Sequence, residues 1–218
     1  MKTALVFGSS GLIGGHLLNE LIKNDNYSKI KLFVRSDHGS NDSKTEIIKT
    51  DFNNLENHKE DIKGDDCFFC IGTTKQNSPD KNEYKRVELD VPKKIAQIAK
   101  SNLVNSFVFV SSGYADPNSS GDYLKFKGLV EEELKSLNFP KLGIMRPSFL
   151  MGDRKEKRVG EKVGIFIFKL LSPLFLGPLK KMKPIHSKKV AKAMVEITNR
   201  DFKQNVFESN EIVEVSNS

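Results

Sequence analysis

The side chains best suited to chemistry lie in Tyr123-Leu-Lys-Phe-Lys127 and in the pair Ser111-Ser112 just upstream. Residues four apart share one face of a helix, so Tyr123 and Lys127 stand side by side if this segment is helical. The positive charge of Lys127 favours the tyrosinate. Tyr123 can then pass a proton to or from a substrate oxygen while Ser112 hydrogen-bonds to the same oxygen. A tyrosine four residues before a lysine is weak evidence by itself, because a half-exposed tyrosine beside a solvated lysine is common on helices.

A second group gives that pair its setting. Gly8-Ser9-Ser10-Gly11-Leu12-Ile13-Gly14 follows the apolar run Thr3-Phe7 and opens an amphipathic segment, the context in which closely spaced glycines bind a dinucleotide. Gly8 permits the tight turn, Gly11 lets the backbone approach a pyrophosphate and Gly14 lets the helix pack closely on the strand. The helix N-terminus then faces the phosphates with free N–H groups and a positive dipole. About 20 residues beyond the glycines, where an acid on the ribose 2′-hydroxyl marks NAD(H), this chain has Arg35. A guanidinium holds a 2′-phosphate in bidentate fashion and stacks on adenine. NADP(H) is therefore favoured, while Asp37 keeps NAD(H) open. Further on, Asp51 is placed either to accept from the adenine amino group, with Phe52 packed nearby, or to cap the following helix. With a nicotinamide in reach, Lys127 also holds its ribose, and a hydride passes between cofactor and substrate carbon.

Alternating elements must carry these residues. Ala4-Phe7, Ile30-Val34, Glu46-Lys49, Asp66-Ile71, Phe107-Ser111 and Leu142-Met145 read as strands, and Leu12-Lys23, Leu55-Ile62, Tyr84-Lys100 and Tyr123-Leu137 as helices. Continuous apolar strands separated by helices indicate a parallel sheet covered on both faces. The predicted fold class is thus α/β, a doubly wound Rossmann-like sheet in a single domain over residues 1–218. Ser187 is placed to cap a final helix, Lys188-Thr198, and disorder is expected only in short loops and in the tail Val215-Ser218. The late segments, 146–200, are expected at the C-terminal edge of the sheet, where open α/β folds bind ligands.

Taken together, the two motifs resemble the short-chain dehydrogenase/reductase superfamily. More narrowly, Cys70-Ile-Gly-Thr-Thr-Lys75, Tyr123-Leu-Lys-Phe-Lys-Gly128 and Arg146-Pro-Ser-Phe-Leu-Met-Gly-Asp-Arg154 are similar to the Tat-interacting-protein-like oxidoreductases, an atypical branch. The resemblance implies that Gly8, Gly11 and Gly14 form the phosphate loop, that Arg35 meets the 2′-phosphate and Asp51 the adenine. It places Gly72 and Thr73 against the cofactor ribose and makes Ser112, Tyr123 and Lys127 a catalytic triad, with Ser111 the fallback serine. Pro147, with its fixed φ and no N–H, is expected to carry the chain over the nicotinamide. Two features depart from the superfamily pattern. Ile71-Gly72-Thr73 stands where ordinary members have Asn-Ala-Gly, and Arg86-Val91 offers no counterpart of their catalytic asparagine. The function implied is an NADPH-dependent oxidoreductase acting on a carbonyl. A regulatory NADP(H)-binding protein without turnover and a nucleotide-sugar epimerase or dehydratase are the alternatives.

Composition sets the bounds. The chain has 218 residues, 29% of them charged, and a net charge of +7. Its lysines are interspersed with acids rather than gathered on one face, which argues against nucleic acid as a partner and leaves a small-molecule substrate. No signal peptide is legible at the start, so the cytoplasm is expected. The apolar stretch Val163-Leu179 contains Lys169, Pro173 and Pro178 and falls short of a membrane span. Phe166, Phe168, Leu170, Phe175 and Leu176 in it serve helix packing, a substrate pocket, or a peripheral membrane or protein contact. Cys67 and Cys70, three apart on a strand, point to opposite faces. They are expected as core residues, neither paired nor holding a metal. His186 either faces the pocket or is structural.

Overall fold

The computed structural model describes residues 1–36, 40, 42–152 and 183–218. Asp37, the stretch 153–162 and the apolar segment 163–179 with its phenylalanines lie outside the described residues. The strands are β1 Lys2–Phe7, β2 Tyr27–Val34, β3 Thr45–Lys49, β4 Asp66–Phe69, β5 Ser106–Val110, β6 Lys141–Arg146, β7 Leu150–Met151, β8 Ile185–His186 and β9 Val206–Glu208. Seven of them form a parallel sheet in the order β3-β2-β1-β4-β5-β6-β9, and β7 pairs with β8. The order reverses between β1 and β4, which creates a crevice at their C-terminal ends.

Helices cover both faces: α1 Leu12–Lys23, α2 Lys81–Lys85, α3 Val91–Ser101, α4 Asp122–Ser136, α5 Ser187–Asn199 and α6 Ser209–Asn217. The alternation within β1 explains the layering. Ala4 and Val6 pack with Leu17, Leu21, Val190, Met194 and Ile212 from α1, α5 and α6. Leu5 and Phe7 face the other way, toward Ile95, Ile98, Val130 and Leu134 from α3 and α4. Cys67 joins the second cluster and Cys70 packs against the first, so the two free thiols point apart, as the strand periodicity requires. Burial pushes the Cys70 thiol up to about 12 and raises Cys67 as well.

Several elements differ from the sequence expectation. The helix expected over Leu55-Ile62 is one 3₁₀ turn, Leu55–His58. The helix expected from Tyr84 starts at Lys81, because Asp80 caps it by accepting from Glu83 N at 2.8 Å. It passes through a π-helical turn, Arg86–Asp90, before continuing as α3. Pro92 gives the reason: it has no N–H for the carbonyl four residues back and its ring crowds that carbonyl, so the turn before it widens. Ser187 is not the cap of α5. His186 occupies that position and accepts from Lys188 N through Nδ1 at 3.2 Å. Nor is α5 the final helix, and the tail is ordered: β9 leads into α6, whose Glu208–Glu211 capping box and buried Val215 hold it against the sheet. A strand of three residues carries too little periodicity to be read from sequence.

Candidate active site

The glycine loop sits at the crevice, and its glycines answer to different constraints. Gly8 has φ +90°, a left-handed conformation suited to glycine, and a Cβ there would lie 2.8 Å from Ile71 N. A Cβ on Gly14 would stand 2.0 Å from Gly8 O, so this glycine sets how closely α1 meets the loop. At Gly11 a Cβ would meet only Gly8 O, at 3.3 Å. Gly11 is the N-cap of α1 and supplies no side-chain bond to it, which leaves the first-turn amides, Leu12 and Ile13 among them, to an anion. The Ile13 side chain itself is core, Leu12 is half-buried and Ser10 is exposed. Ser9 Oγ is buried and has no hydrogen-bond partner among the described residues. A close-packed helix N-terminus with an unsatisfied buried hydroxyl beside it fits a pyrophosphate.

At the β2–β3 side, Arg35 is exposed directly after β2 and makes no hydrogen bond or ion pair among the described residues. Its charge reaches Glu83, whose carboxyl is held low chiefly by its hydrogen bond from Arg86. Asp51 turns both oxygens onto Asn53, accepting from N at 2.9 Å and from Nδ2 at 2.8 Å, and these bonds hold its carboxyl low. It does not cap the 3₁₀ turn, whose N-cap is Asn54. Phe52 has φ +63°, a conformation bulky residues adopt rarely, and its ring lies 6.4 Å from that of Phe7. Its carbonyl accepts from Arg86 NH1 at 3.2 Å. The sequence reading missed Arg86, which brings a second guanidinium to this end, forked onto Glu83.

At the other end of the crevice the structure chooses between the serines. Ser111 Oγ is buried and donates to Glu131 Oε1 at 2.5 Å, so the fallback assignment is withdrawn. Ser112 is half-buried, and among the described residues its hydroxyl makes only a 3.2 Å bond to the adjacent Gly113 carbonyl, one easily exchanged for a substrate oxygen. Gly113 N donates to Pro147 O at 3.0 Å, which sets Pro147 beside that serine. The loop after Ser112 folds onto α4 through Asp116 N donating to Leu124 O at 3.1 Å. It packs so closely that a Cβ on Gly128 would lie 2.3 Å from Pro117 N. Tyr123, in the first turn of α4, is 38% exposed, and its hydroxyl has no hydrogen-bond partner among the described residues.

Lys127 lies one turn deeper, 4% exposed. Nζ donates to Val110 O at 3.2 Å, sits 3.1 Å from Glu88 Oε2 and lies 4.8 Å from the Phe109 ring centroid. Burial opposes its charge, but Glu88, Tyr123 and Glu131 outweigh that and hold its pKa above the usual lysine range. An ammonium has three donors, and among the described residues only the one to Val110 O is spent in a well-angled hydrogen bond, which leaves Lys127 able to donate to a ribose hydroxyl. Thr73 N donates to Glu88 Oε1 at 2.5 Å and Thr73 Oγ1 pairs with Ser78 Oγ at 2.9 Å, while Gly72 is exposed beside them. Glu88 was absent from the sequence reading. The trace it leaves there is positional: Tyr84, Glu88, Val91 and Ile95 form one buried helical stripe, and a carboxylate on such a stripe needs a partner.

Arg146, which ends β6, braces this end. It binds Glu131 through Nε at 2.9 Å and through NH2 at 2.5 Å, donates to Ala115 O at 3.2 Å and lies 3.4 Å from Glu208. Arg146→Met takes from the 1%-exposed Glu131 its two-pronged partner and leaves it the Ser111 hydroxyl and Lys135, whose Nζ is 3.9 Å away. The expected cost is about 3 kcal/mol, the low end for a broken buried pair because Arg146 is itself 21% exposed. Urea melts at neutral pH check this cost. His186, exposed and 6.1 Å from the His16 ring, has the structural role of helix cap.

Comparison with known proteins gives the same frame. A family model described as NAD(P)H-binding matches residues 8–201. Protein HTATIP2 of Rattus norvegicus is 34% identical over 166 residues, covering 73% of this chain and 67% of that protein. Protein FMP52, mitochondrial, of Debaryomyces hansenii is 28% identical over 206 residues, covering 93% of this chain and 90% of that protein. Among solved structures, UDP-N-acetylglucosamine 4-epimerase from Methanobrevibacter ruminantium M1, in complex with UDP-N-acetylmuramic acid, superposes with a TM-score of 0.70. It is 19% identical and covers 98% of this chain and 80% of that one. WbmH of Bordetella bronchiseptica, in complex with NAD+, gives a TM-score of 0.68 at 16% identity, over 95% of this chain and 75% of that one. Likeness at this level of identity speaks to the fold alone.

Proposed function

We propose, from the premise that the chain belongs to the NAD(P)H-binding family, that it is an NADPH-dependent reductase of the atypical short-chain dehydrogenase/reductase type acting on a carbonyl substrate. The observation that carries this reading is the buried, charged Lys127 one helical turn below a Tyr123 hydroxyl with no partner among the described residues, at the topological switch of the sheet. When bound, the dinucleotide supplies the hydride. Tyr123 gives its proton to the substrate oxygen as that oxygen becomes a hydroxyl, and Ser112 hydrogen-bonds to it. Lys127 stabilises the tyrosinate left behind and presents a free N–H to the ribose. Gly8 through Gly14, with Ser9, hold the pyrophosphate. Phe52 and Asp51 flank the adenine, and Gly72, Thr73 and Pro147 line the path to the nicotinamide.

Arg35 supports the phosphorylated cofactor. Arg35→Ala is expected to weaken NADPH binding by about tenfold or more through loss of a charged hydrogen-bond partner, and to weaken NADH binding far less. Fluorescence titration with both nucleotides checks this, and equal losses would remove Arg35 from the site. The activity test is a panel of aldehydes, ketones and quinones, following consumption of NADPH. Turnover with at least one carbonyl is expected. Tight NADPH binding without consumption replaces the reductase with a regulatory NADP(H)-binding protein, and nucleotide retained through purification with no net consumption replaces it with an epimerase. The cytoplasm is the proposed compartment. Among the described residues no helix is long and apolar enough to cross a membrane, and because the fungal relative is named mitochondrial, cell fractionation is the check.

A further inference from the structure

We propose that Glu88 is the positioning residue of this site, fixing Lys127 in place and in its charged form while clamping the Thr73 backbone; the proposal rests on the assignment of Lys127 to the reductase site. Glu88 is 1% exposed and stands in the π-helical turn that Pro92 imposes. Widening a helix by one residue per turn changes where its side chains point, and such turns recur at functional sites. This one aims Glu88 at both halves of the crevice. Oε1 accepts from Thr73 N at 2.5 Å, on the segment after β4, and Oε2 lies 3.1 Å from Lys127 Nζ, on α4. A Cβ on Gly72 would stand 3.4 Å from Oε1, an ordinary contact distance, which places the carboxylate directly beside this segment.

Packing alone does not call for a charge at this position. Burying a carboxylate and an ammonium costs several kcal/mol per ion in desolvation, and apolar groups of the same volume commonly serve stability as well or better. The pair is also incompletely satisfied: among the described residues Oε2 has no well-angled hydrogen bond and meets Lys127 as an ion pair. Such a pair costs less if Lys127 must be cationic beneath Tyr123. The other groups facing Lys127 do not replace Glu88. Glu131 on α4 is committed to Arg146 and Ser111, Tyr123 is the proton donor that Lys127 serves, and burial raises the Cys70 thiol and, beside Glu88, the Tyr84 hydroxyl, each to about 12.

The test reads Lys127 directly, without substrate or cofactor. In protein labelled with ¹³C in its lysine side chains, the Lys127 resonance, assigned by its loss in Lys127→Arg, is followed through a pH titration. Glu88→Gln keeps an acceptor for Thr73 N but removes the charge. It is expected to move the Lys127 titration down by about 1–3 units. Glu88→Asp keeps the charge on a shorter arm and is expected to give a smaller downward shift, and it stands in if Glu88→Gln does not fold. An unmoved Lys127 titration in the folded variants overturns the proposal. Where the panel yields a carbonyl substrate, the alkaline limb of the kcat profile moves down with Glu88→Gln and returns toward the wild type with Glu88→Asp. A uniform loss at all pH values, with the limb unmoved, marks a merely structural role and also overturns it. Failure of every carbonyl would dispose of the reductase reading and leave the Lys127 titration standing.

Discussion

Tyr123→Phe is expected to lower carbonyl-dependent NADPH consumption by about 10²- to 10⁴-fold, the usual contribution of a positioned general acid. The change removes one oxygen and keeps the ring. Tyr123 is 38% exposed in the first turn of α4, and its hydroxyl bonds to nothing among the described residues. Stability should therefore stay within about 0.5 kcal/mol, the range of ordinary surface substitutions. NADPH affinity should hold too, because the phosphate loop and Arg35 lie at the other end of the crevice. The combination is diagnostic: kcat falls while the melting temperature and the dissociation constant do not. Steady-state kinetics, a thermal melt and a fluorescence titration measure the three. Turnover retained in Tyr123→Phe would remove this tyrosine from the chemistry, and the hydroxyl of Ser112 would then be the first to examine.

Gly14→Ala is expected to abolish tight dinucleotide binding and to destabilise the fold. Alanine ordinarily favours a helix over glycine by about 1 kcal/mol, so the sign of the effect depends on the contact. Here the new Cβ would stand 2.0 Å from Gly8 O, 2.8 Å from Gly8 C and 3.0 Å from Ser9 Cα, all of them backbone. Gly8 has little room to retreat, since it sits in a left-handed turn against the backbone of Cys70 and Ile71. The start of α1 must therefore move. Overpacking of this kind costs about 1–3 kcal/mol in stability. Displaced first-turn amides forfeit charge-assisted hydrogen bonds to phosphate, each about 1.5–3 kcal/mol, for a loss in affinity of roughly a hundredfold. Gly15→Ala is the matched control. Its Cβ would meet Ser9 O at an ordinary 3.6 Å, so helix propensity prevails and both stability and binding should be maintained. Equal behaviour of the two variants would refute the close-packing account of Gly14.

The apolar runs and glycines were legible because their information is local. A continuous run such as Ala4-Phe7 must be covered on both faces whatever follows it, and the structure divides its residues between two clusters. The glycine spacing fixes a turn within seven residues, and a separation of four on a helix puts Tyr123 above Lys127. The errors arose where local patterns were short or ambiguous. The strand Val206–Glu208 forms because β6 offers an edge to pair with, and α6 follows from the capping box that Glu208 makes there. His186 displaced Ser187 as a cap because β8, pairing with β7, carries the chain in extended form to residue 186.

What the sequence determined by itself was a doubly wound α/β sheet with a glycine loop after its first strand, an arginine after its second and a tyrosine–lysine pair on one helix face, all consequences of periodicity and spacing. The tertiary structure alone decided which groups surround them. It engaged Ser111 with Glu131, made Arg146 a brace, and brought Arg86 to the Phe52 carbonyl. It also set Glu88 between Thr73 and Lys127. Those contacts join residues 15 to 39 positions apart in the chain. They exist because the sheet order places β4 and β5 side by side and one proline widens a helical turn above them. Charges buried by neighbours from other elements leave little trace in local periodicity, so the environment that tunes Lys127 became visible only once the chain was folded.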